Sequence, residues 1–318
     1  MNDLRDLELL VQAAALGSLT KAAVKLDLTQ SAASRRIAAL EERLGGRLFH
    51  RTGRGVHPTE LGAGVLPRIE ALLNDAEQIA SDARALAGKP VGTVRLGVLP
   101  SVSRPFVGML YRETRQRLPA VRLQIDEAFG GFLDEAIANG TVDLAILNRY
   151  GHAPPDGEEL LARVDMCVIG AAGDRLTRHG RIPFRELDGL PLLLPSAPNA
   201  WRGVLEKKAR RHGIRLDESM VVDSVSLLAD VVAGGGCHAI VPGYAVEREV
   251  DEGRLQVARI VQPAMTRFVT LSVTAQRPMT IAAREVARLV RSLLPKMLGQ
   301  DDSAARVRAA RPAAARRR

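Results

Sequence analysis

Gln30, Ser31, Ser34 and Arg35 fall within six consecutive positions of the chain. A carboxamide, two hydroxyls and a guanidinium so close together suit the reading of base edges. A carboxamide pairs bidentately with adenine, a guanidinium with guanine, and hydroxyls serve bases or phosphates. Gln30 is therefore a candidate for adenine and Arg35 for guanine. That chemistry needs one helical face, and the flanking residues supply it. Ser18 is a good N-cap, and Leu19, Ala22, Ala23 and Leu26 follow at helical spacing, which predicts a helix of about two turns. Asp27 and Leu28 break the pattern. Thr29 then caps a second helix, whose Ala33, Ile37, Leu40 and Leu44 form an apolar stripe. At about 100° per residue, Ser31 and Arg35 point away from the stripe, Ser34 lies on its flank, and Gln30 sits at the exposed amino tip. A recognition helix presents polar groups in this way; an ordinary helix pair with a solvated face is the alternative.

The residues that follow favour the first reading. Gly45 and Gly46 stop the helix, and the segment from Arg47 to His57 reads as a compact hairpin before Pro58. Its arginines suit phosphate or minor-groove contacts. The run TQSAASRRIAALEERLGGRLFHRTGRGVHPTELG resembles the winged helix-turn-helix signature of LysR-type transcriptional regulators, including the S-x-T-x-A-A-x-x-L entry and the L-F-x-R-x-x-R-G-V-x-x-T-E-x-G exit. The resemblance implies base or phosphate contacts from Gln30, Ser31, Ser34, Arg35 and the wing residue Arg54. Ser31 stands where many members carry proline, so that contact is the one the resemblance supports least.

Composition adds little to the case for DNA. The chain carries a formal net charge of +9. The six arginines and two aspartates of residues 299–318 account for +4 of it, leaving +5 elsewhere. The tail is rich in alanine and arginine without apolar periodicity and reads as disordered. The N-terminus bears acids and a helical stripe instead of a basic segment and an unbroken apolar run, so no signal peptide is expected. No stretch approaches the roughly 20 apolar residues of a membrane span; a cytoplasmic protein without membrane partners is expected. Cys167 and Cys237 lie far apart in apolar sequence and read as buried thiols. They form no ligand-spaced set with His212 or His238, so no metal site is expected.

From Gly62 to Ala87 apolar residues recur every three or four positions: Leu66, Ile69, Leu72 or Leu73, Ala76, Ile79 or Ala80, Ala83 and Leu86. This predicts a long helix with a seam for a twin helix, making a homodimer that sets two recognition helices on a dyad site. The resemblance adds a tetramer, and it allows RNA polymerase as a further partner beside double-stranded DNA. Gly88 to Gly92 reads as a hinge.

Beyond Val91 short β-branched strands alternate with helices, the pattern of an α/β fold with a parallel sheet. The resemblance implies two Rossmann-like lobes of periplasmic-binding-protein type. The expected organisation is a winged helix-turn-helix over 1–61, a linker helix and hinge over 62–90, a two-lobed effector domain over 91–298, and the tail over 299–318. Lobe 1 takes about 91–164 and 267–298, and lobe 2 about 165–266. Ligands bind such sheets at the carboxyl ends of strands, where helix N-termini attract anions. Candidate effector contacts are therefore Ser101, Val102 and Ser103, Phe129 and Gly130, Asn148 and Arg149, and Ser196 and Asn199. Ser101 is the leading anchor for a carboxylate, although it serves equally as an N-cap, and Arg149 equally as a solvated side chain. The run LLLPSAPNAWR also resembles the matching loop of the nitrogen-assimilation control subgroup.

An effector-responsive transcription factor is the expected function, with a small, anionic organic effector and no cofactor. H-E-x-x-H, G-x-S-x-G and GxxxxGK[ST] motifs are absent from the sequence, and the glycines at 234–236 follow a helix instead of opening one, so no enzyme is expected and no catalytic residues are assigned. A nucleoid-type DNA binder with an inert second domain is the third reading.

Overall fold

The computed structural model describes residues 4–52, 55–85, 90–151 and 154–299. Arg54 and the tail from residue 300 onward lie outside the described residues. Two compact units emerge, one built mainly on the first 92 residues and the other on most of the rest.

In the first unit, α1 (Leu4–Leu16), α2 (Leu19–Lys25) and α3 (Gln30–Leu44) precede a hairpin of β1 (Phe49–Thr52) and β2 (Gly55–Pro58), and α4 (Glu60–Ala85) follows. Both expected caps form: the Ser18 hydroxyl accepts from the Lys21 amide and that of Thr29 from the Ala32 amide. Asp27 adopts a left-handed φ of 54°, which breaks the chain between α2 and α3. Gly45 ends α3 with a φ of 74°, a conformation glycine adopts without steric cost. Leu7, Leu10, Ala22, Ala33, Ile37, Leu40, Leu48 and Val56 fill the core of this unit. Leu44, read as part of the same stripe, is 39% exposed because the helix ends there. The stripe of α4 is divided as well: Leu66, Ile69 and Leu73 pack against this same core, whereas Leu72 and Ile79 stand exposed.

Close packing at the root of the hairpin rests on one glycine. A Cβ added at Gly62, in the first turn of α4, would meet the Leu48 carbonyl oxygen at 2.2 Å. Backbone there cannot yield cheaply, so Gly62→Ala is expected to destabilise this unit by about 1–3 kcal/mol. Chemical denaturation of the full chain, followed by circular dichroism, reads the effect; an unchanged midpoint would refute the packing argument.

The second unit contains β3 (Gly92–Val98), α5 (Pro100–Arg117), β4 (Val121–Glu127), α6 (Gly130–Ala138), β5 (Leu144–Arg149), β6 (Glu159–Ala171), β7 (Arg181–Pro183) and β8 (Pro191–Leu194). It continues through α7 (Ala200–Arg211), β9 (Asp217–Val221), α8 (Val225–Ala233), β10 (His238–Pro242), α9 (Glu247–Asp251), β11 (Leu255–Val261), β12 (Thr266–Val273) and α10 (Ile281–Gly299). The sheet runs in the order β4-β3-β5-β12-β6-β10-β8-β9, with β11 pairing β6 and β7.

The sheet is parallel within each half, as the βα units predict, but mixed as a whole. β3 and β5 are parallel, as are β10, β8 and β9, but β12 is antiparallel to β5 and β6, and β6 to β10 and β11. The cause is β6, a strand of 13 residues that serves both halves of the sheet: Glu159–Asp165 pair with β12, and Met166–Ala171 with β10 and β11. Alternation along β6 sends Met166 and Val168 to the α7 side and Cys167 and Ile169 to the α8 side, covering both faces. Cys167 and Cys237 share the second cluster, both buried, and burial pushes the Cys237 thiol up from its ordinary pKa. Register sets Cys167 opposite Val241, four residues from Cys237. That spacing is roughly 13 Å of strand, well beyond disulfide reach.

Candidate functional site

The DNA-facing candidates stand on the first two turns of α3. Gln30, Ser31 and Arg35 are exposed and Ser34 is half-buried. The Ser31 hydroxyl lies 3.1 Å from that of Thr29, so the cap and the candidate contact share one hydrogen bond. Arg35 has no ion-pair partner among the described residues. Its neighbour Arg36, on the flank facing α1, pairs with Asp6 at 3.2 Å. One guanidinium thus holds the helices together and the next is left free. The hairpin is fixed relative to this face: Glu41 of α3 accepts from the Leu48 amide at 2.9 Å, and the Val56 amide donates to the Gly17 carbonyl at 2.9 Å. α3 and the root of the hairpin are therefore positioned as one piece.

In the second unit a cavity of about 160 Å³ opens at the carboxyl ends of β3, β5 and β8, between the two halves of the sheet. Of the expected contacts, Ser101, Phe129, Gly130, Asn148 and Asn199 line it. Val102, Ser103, Arg149 and Ser196 do not, each for a local reason.

The stretch after β3 is not a loop: α5 begins at Pro100 with Leu99 as its N-cap, so Ser101 is not a cap. Helical rotation then turns Val102 into the core, fully buried, and Ser103 toward Glu127, to which its hydroxyl donates. Strand alternation separates Asn148 and Tyr150, which face the cavity, from Arg149, which faces away. Arg149 is held by Asp134, with Nη1 at 3.1 Å from Oδ2, and by Glu158, with Nε at 2.9 Å from Oε2. Burial works against that charge, but the two carboxylates outweigh it and raise the guanidinium pKa above its ordinary value. Ser196 donates to Asp223 from its hydroxyl at 2.7 Å and its amide at 2.9 Å. Asn199 caps α7, its side-chain oxygen accepting from the Trp201 amide at 3.0 Å.

The residue of greatest chemical weight in the cavity, Arg267 on β12, was not among those expected. It is 4% exposed, and no carboxylate lies within ion-pair distance of it among the described residues. Its Nη2 donates to the Ser101 hydroxyl at 3.0 Å and to the Tyr244 hydroxyl, and its Nε has no partner among the described residues. Burial opposes the charge, yet the Tyr244 and Tyr150 oxygens hold the pKa above the ordinary arginine value, so the group stays a cation. Sequence held one signal for it. In TRFVTLSV the arginine occupies the same alternation as Val269 and Leu271, an inward position where a free charge is costly unless it has work to do. α5, α6, α7 and α8 all present first-turn residues to this cavity, so four positive helix ends add to the guanidinium. Tyr150 and Trp201 form the aromatic wall, with ring centroids 5.7 Å apart.

Comparison with known proteins matches these parts to one family. Residues 4–63 match the bacterial regulatory helix-turn-helix of the lysR family, and residues 87–295 match the LysR substrate binding domain. Among curated proteins, the nitrogen assimilation regulatory protein nac of Escherichia coli (strain K12) is 26% identical over 293 residues, covering 91% of this chain and 94% of its own. The protein of the same name from Klebsiella aerogenes is 27% identical over 300 residues, covering 92% and 96%. Among solved structures, the LysR family transcriptional regulator CbnR superposes with a TM-score of 0.65 at 19% identity, covering 91% of this chain and 98% of its own. No described helix is long and apolar enough to cross a membrane. Polar recognition helix, winged hairpin and mixed two-part sheet coincide with the two matched regions, and the chain belongs to the LysR family of DNA-binding transcriptional regulators, with a helix-turn-helix head and an effector-binding domain.

Proposed function

We propose that the chain is a sequence-specific regulator whose DNA-bound geometry is controlled by a small organic anion held in the cavity around Arg267. One observation carries the effector reading: a buried guanidinium with no carboxylate within ion-pair distance among the described residues, at a site open to a ligand and ringed by helix N-termini. Burying a charge costs several kcal/mol unless it is paired, and a ligand carboxylate supplies the pair. Ser101, whose hydroxyl already accepts from Arg267, and Gly130, in the first turn of α6, line the same cavity. Residues 1–61, 62–90 and 91–298 then act as DNA-binding head, linker and effector domain, with the lobes at 91–164 with 267–298 and at 165–266.

Effector binding selects one closure of the lobes, and the oligomer, a dimer through α4 or a tetramer built from it, transmits this to the spacing of recognition helices. Such coupling requires differential affinity of about 1–3 kcal/mol between the two states. On DNA, Gln30, Ser34 and Arg35 read bases, with Ser31 and Arg54 as further contacts. A structure of the similar CbnR has been obtained in complex with its target DNA, which supports the role of the head.

The cavity carries its own reporter. Trp201 is the only tryptophan in the chain and lines it. Titration of the full-length protein with small carboxylic acids is expected to change tryptophan emission saturably, and the same acids as methyl esters, which lack the charge, are expected to leave it unchanged. Equal responses to acids and esters would refute the anionic effector.

A further inference from the structure

We propose that the effector is a zwitterion, with a carboxylate for Arg267 and a cationic amine for Asp223 and Asn148; this rests on the reading of the cavity as the effector site. Among its lining residues only Arg267 and Asp223 carry charge. Neither is neutralised. Arg267 meets hydroxyls only, and Asp223 accepts from the Ser196 amide and hydroxyl, both neutral donors. The cavity is thus balanced in charge, with its two poles unpaired. A simple anion satisfies Arg267 and leaves Asp223 as a like charge at the same site; a molecule bearing both signs satisfies each pole.

A second, independent observation points the same way. The Asn148 side-chain oxygen is shielded from solvent and has no donor among the described residues. An acceptor left open in a cavity that also holds a carboxylate calls for a group rich in N–H donors, which an ammonium supplies and a carboxylate does not. Burial sets the orientation. Arg267 is almost wholly enclosed, whereas Asp223 is exposed and also lines the adjoining cavity beside Phe129 and Val225. The carboxylate therefore enters first and the amine stays toward the opening.

The test is calorimetry, with Trp201 emission alongside, on the full-length protein with the common amino acids, each against its des-amino acid, such as phenylalanine against 3-phenylpropanoate and leucine against 4-methylpentanoate. At least one amino acid is expected to bind about 10-fold or more tightly than its partner, the scale of a partly desolvated charge pair. Asp223→Asn is expected to bring that ratio near one without weakening the des-amino acid. A wild-type protein that binds no amino acid better than its partner overturns the proposal, as does a preference that survives Asp223→Asn. Des-amino acids that bind alone, and only when Arg267 is present, overturn the zwitterion but leave the anionic effector standing; failure of both classes overturns both.

Discussion

Replacing Arg267 by methionine is expected to lower the affinity for a carboxylate effector by about 100-fold or more and to leave the unliganded protein as stable as before or more so. Both halves of that outcome follow from one fact: the guanidinium is buried and, among the described residues, unpaired by any carboxylate. In the empty cavity it makes hydrogen bonds to Ser101 and Tyr244 but pays the desolvation of a full charge. Methionine fills similar volume without that cost. With effector bound the balance reverses, because truncating one partner of a desolvated charge pair costs about 2–5 kcal/mol. Ligand titration and thermal melting of the same two proteins read the two effects. A variant that loses stability and affinity together would show Arg267 to be structural, and one that retains affinity would remove it from the site. Arg149→Met is the matched control: there the charge already has two carboxylate partners, so melting is expected to fall while affinity changes less.

The double variant Gln30→Ala with Arg35→Ala is expected to lose about 2–6 kcal/mol of specific DNA binding, each truncation costing about 1–3 kcal/mol and relaxing one base position. Both side chains stand exposed on the first turns of α3, and Arg35 has no ion-pair partner among the described residues, so their removal leaves the core stripe of Ala33, Ile37 and Leu40 untouched. Melting is therefore expected to change little. Footprinting and binding at several salt concentrations separate the readings, since loss of base contacts shifts site preference whereas loss of a phosphate contact lowers affinity for all sequences and flattens the salt slope. An unchanged site and affinity would exclude base reading by either residue. Arg36→Ala makes the contrast: that side chain is paired with Asp6, and its loss is expected in the stability of the head rather than in sequence preference.

The DNA-binding head was legible because its determinants are local. Caps at Ser18 and Thr29, a 3.6-residue stripe and a glycine stop specify two helices and their polar face from a few neighbouring residues. The cavity proposed for the effector was legible only in part. Reading the stretches after strands as loops pointed to the end of the sheet where the cavity opens, and Ser101, Phe129, Gly130, Asn148 and Asn199 line it. Side-chain direction was lost where a loop proved to be the first turn of a helix, as at Val102 and Ser103, or where strand alternation turned a neighbour away, as at Arg149.

What the sequence determined by itself is the chain's class: a helix-turn-helix head whose polar face suits DNA, followed by an α/β domain with its ligand end at the strand termini. What only the tertiary structure decided is the charge inside that domain. Arg267 lies 166 residues from Ser101, and nothing between them hints at contact. The two meet because β12 runs antiparallel to β5 and β6, delivering the start of β12 to the start of a helix folded from the other end of the domain. Local periodicity fixes which face a residue occupies; only long-range strand pairing fixes what that face meets.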